Sequence, residues 1–176
     1  DDSLRILEEY AKDDRRVQFF MQKTRGTGRA RNELIQYVET RFPEAKRIVW
    51  GDAENIYHRN YLSSITTIDA DIVGGVNIID SDSPLGQSLW WYYNGFWGKT
   101  VVGNNESVKM NLYKKYHYEP ITRTEDFFFR KQLEKDKARF AKDSNDVCYI
   151  KTVESLSELI HWEKSRTLGL LERAKL

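Results

Sequence analysis

Arg47-Ile48-Val49-Trp50-Gly51-Asp52-Ala53-Glu54 is a short apolar run that stops at a glycine and two acids. Its length and flanking turn residues read as a buried strand rather than a helix. Before it, Leu34, Ile35, Val38 and Phe42 share one face of a helical pattern that Pro43 ends. After it, a helix is expected around residues 55–66. The alternation continues with a strand over Ala70–Ile79, a helix over Ser107–Tyr116 through Val108, Leu112 and Tyr113, and a helix from Thr124 to about residue 136. Val147–Ile150 reads as a strand and Ser155–Arg173 as a final amphipathic helix. Upstream, Ser3 caps a helix over 4–12, and Val17–Met21 reads as a short buried strand; Thr100–Val102 is one more strand candidate. Helices alternating with short strands point to a three-layer α/β domain with a mostly parallel central sheet.

Composition narrows the function classes. A chain of 176 residues can bury one real core and is short for two, so residues 1–176 are expected to form a single domain. Its 28 basic and 27 acidic side chains leave a net charge of +1, which provides no overall field to recruit nucleic acid or an anionic membrane. Cys148 is the only cysteine, which excludes an internal disulfide and a thiolate zinc cage, and its apolar setting suits a small core residue. His58, His117 and His161 lack the i,i+4 spacing of a histidine metal site. No apolar run approaches the roughly 18 residues of a membrane span, so the expected location is cytoplasmic. Asp1-Asp2-Ser3 runs straight into a helical pattern, which reads as the inside of a larger domain.

Two acidic clusters carry the chemistry. Asp52 and Glu54 fall where a parallel strand would end, at the crevice in which open α/β sheets bind ligands. Two acids one residue apart can turn towards one Mg²⁺ or Mn²⁺, a cation that takes oxygen ligands and leans on substrate phosphates. The same residues also suit a turn and a helix cap. Glu125 and Asp126 occupy the first turn of a helix, where the dipole favours negative charge. Asp126 is the candidate general base, with Glu125 beside it. Between the clusters in function, though upstream in sequence, lies Lys23-Thr24-Arg25-Gly26-Thr27-Gly28-Arg29-Ala30-Arg31-Asn32. Its glycines permit close backbone approach, and Arg25, Arg29 and Arg31 are candidate phosphate donors at a helix N-terminus. It is not a P-loop, because the GxxxxGK[ST] spacing is missing. Trp162 could stack on a sugar or acceptor and Arg166 could balance departing diphosphate charge, against a mixed solvated helix face as the plainer reading.

In this order the segments resemble the GT-A glycosyltransferases of the family 2 type. Asp1-Asp2-Ser3 is similar to the end of that family's Asp-Asp-x-Ser turn, and Gly26-Thr27-Gly28-Arg29-Ala30-Arg31-Asn32 to its Gly-x-x-x-Ala-Arg-Asn helix start. Asp52-Ala53-Glu54 stands where the family has Asp-x-Asp, with Glu54 in place of the second Asp. Ala70–Gly75 resembles the following strand, Gly103-Asn104-Asn105 the acceptor-side segment, and Thr124-Glu125-Asp126 the Thr-Glu-Asp of cellulose-synthase-like members. Trp162–Arg166 is only loosely similar to the Gln-x-x-Arg-Trp of processive enzymes. The resemblance implies a GT-A (Rossmann-like) domain lacking its first strand, and a metal-dependent, inverting transfer from a nucleotide-diphosphate sugar, UDP-sugar being the expected donor, to an acceptor hydroxyl. It implies metal at Asp52 and Glu54, donor contacts at Arg25, Arg29, Arg31, Asn32 and Arg166, and base chemistry at Asp126. Acceptor contacts would fall at Asn104, Asn105, Trp90, Trp91 and Trp162.

Two other classes compete. Arg25–Ala30 also fits the Arg-x-x-Gly-x-Ala pyrophosphate loop of acyl-CoA-dependent N-acetyltransferases, with Asn105 to Tyr113 as their late helix, although that class leaves Asp52 and Thr124-Glu125-Asp126 unexplained. A nucleic-acid module built on Arg25–Arg31 is weakened by the near-neutral charge; nucleic acid then enters only as an acceptor.

Overall fold

The computed structural model describes residues 2–89 and 105–175. Thirteen residues from the start of the chain, the first helix closes: α1 spans Ser3–Asp13 and buries none of its side chains. Val17–Met21 is not a strand. It runs without regular pairing, and Phe19, Phe20 and Met21 are exposed, although Phe20 stacks on Tyr37 at 5.4 Å between ring centroids. An apolar run with no sheet neighbour has nothing to pair its backbone with, whatever its propensity.

Helix α2 (Thr27–Arg41) is followed by β1 (Arg47–Gly51), a two-residue strand β2 (Ile56–Tyr57), the short helix α3 (Tyr61–Ile65) and β3 (Ile72–Ile79). After the segment 90–104 come β4 (Asn105–Lys109), the single turn α4 (Met110–Tyr113), α5 (Glu125–Lys135), β5 (Phe140–Ile150) and α6 (Leu156–Arg173). The Thr100–Val102 strand candidate lies outside the described residues. The expected helix over Ser107–Tyr116 is a strand followed by one helical turn.

The five strands form one sheet in the order β1-β4-β3-β5-β2. β4 runs antiparallel to both of its neighbours, β1 and β3, and β2 runs antiparallel to β5; only β3 and β5 are parallel. The sheet is a curled, mostly antiparallel half-barrel, which overturns the mostly parallel, Rossmann-like sheet expected from the alternation. The physical reason is β4. Asn105-Glu106-Ser107-Val108 has the polarity of a surface segment, yet all four residues are buried in a strand flanked on both sides, by β1 and β3. Mistaking it for part of a helix removes the strand that reverses direction.

The main core lies where α2 and α5 cover the sheet: Ile35, Ile48, Trp50, Ile72, Val108, Tyr113, Tyr118, Phe129 and Leu133. Rings dominate it, with Tyr118 stacked on Phe129 at 4.3 Å and edge-on to Trp50 at 5.8 Å. Each buried polar tip finds a partner, as the Trp50 indole N–H does in donating to the Tyr113 hydroxyl at 2.7 Å. A smaller cluster of Tyr61, Ile65, Ala70 and Val73 forms under α3. No helix among the described residues is long and apolar enough to cross a membrane.

Candidate functional site

Asp52 lies just past the end of β1, in a turn tied by one phenol. The Asp52 backbone N–H donates to the Tyr57 hydroxyl at 2.7 Å, the Asn55 side-chain amide reaches the same oxygen at 3.3 Å, and the Asn55 N–H closes the turn on the Asp52 carbonyl at 3.2 Å. A β-carbon at Gly51 would come within 2.6 Å of that hydroxyl, so this turn needs glycine for close approach. Asp52 is half-buried and Glu54 exposed. Desolvation and then the neighbouring Glu54 raise the Asp52 pKa, with Asp126 acting in the same direction; Arg31 and Arg123 oppose them. Asp52, Glu54 and Asp126 therefore share one electrostatic neighbourhood, although they come from two distant parts of the chain.

Arg31 is the hub of that neighbourhood. Its side chain is 12% exposed, its Nε lies 3.1 Å from Glu125 Oε1, and its guanidinium sits over the rings of Trp50 at 4.9 Å and Tyr118 at 5.1 Å. Glu106, on β4 directly across from Trp50, is buried beside it. Burial pushes both Glu106 and Glu125 up to about 7, and in each case the Arg31 charge is the strongest influence in the other direction. The result is four carboxylates (Asp52, Glu106, Glu125 and Asp126) held around one buried cation. Planar and weakly hydrated, a guanidinium suits such a site better than an ammonium would.

The glycine loop is closed by the protein itself. The Gly28 N–H donates to the Ile121 carbonyl at 3.2 Å, and the Thr27 hydroxyl donates to the Thr122 carbonyl at 2.8 Å. A β-carbon at Gly28 would collide with the Glu119 carbonyl oxygen. Segment 119–125 thus fills the helix end that anion binding would use. Asn32 holds the same stretch one turn on: its amide donates to the Tyr118 carbonyl at 2.8 Å and accepts from the Tyr118 N–H at 3.0 Å. Arg25 and Arg29 are exposed, and Arg29 bonds the Arg25 carbonyl at 3.0 Å.

Helix α5 begins at Glu125, after Thr124 in the left-handed region (φ 66°) with no side-chain cap bond. Asp126 is half-buried, with Oδ1 accepting from the Phe127 N–H at 2.8 Å. Helix α6 docks on the turn before it. Glu172 accepts from the Thr122 N–H at 2.7 Å and from its hydroxyl at 2.8 Å, Arg173 pairs with Glu119, and a β-carbon at Gly169 would meet the Arg123 carbonyl at 2.5 Å. Further up α6, Arg166 pairs with Glu163 at 3.0 Å and lies over the Trp162 ring at 4.9 Å.

The structure therefore brings Asp52, Glu54, Arg31, Glu125 and Asp126 together, ties Asn32 to the Tyr118 backbone, and leaves Arg25 and Arg29 at the surface. Asn105 is buried in β4, where its amide donates to Asn77 at 2.9 Å. Trp90, Trp91 and Asn104 lie outside the described residues. Sequence reasoning missed Glu106 and Arg123. A single Glu within Asn105–Val108 carries no periodic signal, and Arg123 is one surface-type cation among many. No group of three or more His, Cys, Asp or Glu side chains placed to share a metal occurs among the described residues. No family model and no curated protein matches the chain.

Proposed function

We propose that the chain carries the centre of a metal-assisted glycosyl transfer from a nucleotide-diphosphate sugar to an acceptor hydroxyl. The observation that supports this most directly is the shared field of Asp52, Glu54 and Asp126 beside Arg31 and Arg123. Asp52, with Glu54 assisting, would hold a divalent cation against the diphosphate. Two carboxylates plus substrate phosphates are a normal ligand set for Mg²⁺-class ions, which need no full protein cage. Asp126 would take the proton of the acceptor hydroxyl as its oxygen attacks the anomeric carbon. The new C–O bond forms as the bond to the diphosphate breaks, with inversion, and the extra negative charge departs on the diphosphate. Arg123 is the exposed cation that Asp52 feels and would offset that charge; Arg31 is committed to Glu125 and its two rings.

The test is a titration with UDP, with and without Mn²⁺, on the chain and on Asp52→Ala, with acetyl-CoA as comparator. Mn²⁺-dependent UDP binding that disappears in Asp52→Ala is expected. Metal-indifferent binding of acetyl-CoA without response to UDP would overturn the reading in favour of acyl transfer. The Gly28 N–H, already donated to Ile121, argues against that second outcome.

A further inference from the structure

Helix α6 is apolar on two sides. One side docks: Gly169 sits against the Arg123 carbonyl, and Trp162 and Ser165, seven and four residues before it on the same side, are half-buried. On the other half of the helix, Leu156, Ile160, Leu168, Leu170 and Leu171 are between 48% and 67% exposed. Scattered exposed leucines are ordinary, but five such side chains on one half of one helix make a continuous face of the kind that marks an interaction surface.

The charges of α6 select what covers that face. The helix carries three acids, Glu158, Glu163 and Glu172, and three bases, Lys164, Arg166 and Arg173. They cancel, which leaves no field to draw an anionic membrane or an acidic peptide. Within the face the charges are adjacent and opposite. Leu156, Ile160, Thr167 and Leu171 follow at steps of four, seven and four residues, which keeps them within about 60° of one line along the helix. Glu163 and Lys164 fill the gap in the middle, one to each side of that line. Glu163 gives Oε1 to Arg166 at 3.0 Å and keeps its second oxygen, while Lys164 has no ion pair among the described residues.

This pattern is self-complementary in one direction only. A second α6 laid alongside in the same direction, about a two-fold axis parallel to the helices, stacks Leu156, Ile160, Thr167 and Leu171 each on its own counterpart. The same rotation sets Glu163 of each copy beside Lys164 of the other, and brings Leu168 and Leu170 to the rims. A second α6 laid in the opposite direction about the same point would set Glu163 on Glu163 and Lys164 on Lys164.

We propose that the outer face of α6 is a self-association surface, on which two copies of the chain pair through parallel α6 helices whose direction is set by two Glu163–Lys164 ion pairs. A single pair of helices buries less than the roughly 1,200 Å² of stable complexes, so the dimer is weak and reversible. Exposed ion pairs add little attraction, whereas like charges brought together are costly, so these residues choose the direction more than the strength. The surface lies on the far side of α6 from segment 119–125 and does not depend on the transfer reaction.

Sedimentation equilibrium of the whole chain tests this. The wild type is expected to pass from monomer to dimer as its concentration rises. Glu163→Lys and Lys164→Glu, both at exposed positions, should each shift the chain to monomer. Mixed in equal parts, these two variants should dimerise with one another, and the double reversal should dimerise with itself. Ile160→Ser should weaken the wild-type dimer about a hundredfold, since both copies lose the side chain. A wild type that stays monomeric up to its solubility limit, a dimer that persists in both single variants, or a mixture that stays monomeric would each overturn the proposal. A monomeric wild type that sediments with neutral lipid vesicles would overturn it in favour of a membrane surface.

Discussion

Arg31 decides most at the scale of the residue. It neutralises Glu125, offsets Glu106 and fills the space between Trp50 and Tyr118. Replacing it with glutamine strands two buried carboxyls without their cation. Breaking a buried pair in this way costs about 3–5 kcal/mol, so Arg31→Gln should show that loss in urea unfolding at neutral pH. Arg31→Lys should recover only part of it, because an ammonium lacks the fork and the flat face. The carboxylates of the candidate site were legible in the sequence because Asp52-Ala53-Glu54 and Thr124-Glu125-Asp126 are local patterns at element ends. Arg31 was legible as a residue but not as a buried one. Its side chain points back under its own helix towards β1, a direction that only the packing of α2 on the sheet determines. Glu106 had no local signal at all.

Helix ends and docking determine what happens at the scale of the element. Ser155 caps the last helix: its hydroxyl accepts from the Glu158 N–H at 3.2 Å. Ser155→Ala should therefore cost about 1 kcal/mol in thermal or urea unfolding. Gly28 is a different matter. Its missing side chain lets α2 approach segment 119–125, so Gly28→Ala should push the two apart at a cost of about 1–3 kcal/mol. Because that segment leads into Glu125 and Asp126, Gly28→Ala should also weaken any Mn²⁺-dependent UDP binding, as a binding titration would show. The long helices α1, α2, α5 and α6 could be read from periodicity and stop signals, as could the cores of β1, β3 and β5. Three elements could not: the span expected as a helix over 55–66 holds the strand β2 before the short α3. β4 is polar because its side chains meet polar ones from other elements, Arg47 at Ser107, Asn77 at Asn105 and Arg31 at Glu106, and Val17–Met21 is apolar but has no strand to pair with.

For the molecule as a whole, the buried acids set the response to pH. Glu106 and Glu125 titrate at about 7 in the folded chain, against an ordinary 4.5. Between those values the folded chain holds protons that the unfolded chain has released, so raising the pH favours unfolding. Stability should fall as pH rises from about 4.5 to about 7 and level off above that. Urea midpoints measured across the window will show the slope, and Glu106→Gln should remove its share of it. A stability that climbed through this range would contradict the burial of these groups.

The lone parallel pairing, β3 with β5, has a consequence in time. Ile72 must find Phe140, and Ile79 must find Ile150, across the whole of β4, α4 and α5. Such distant partners make loop closure slow, and contacts of high sequence separation govern the rate. On a ribosome, β2 has no strand to join until residues 148–149 have emerged, and β3 has only one of its two neighbours. The middle of this chain must wait, half-formed and exposed, for its last third to be made.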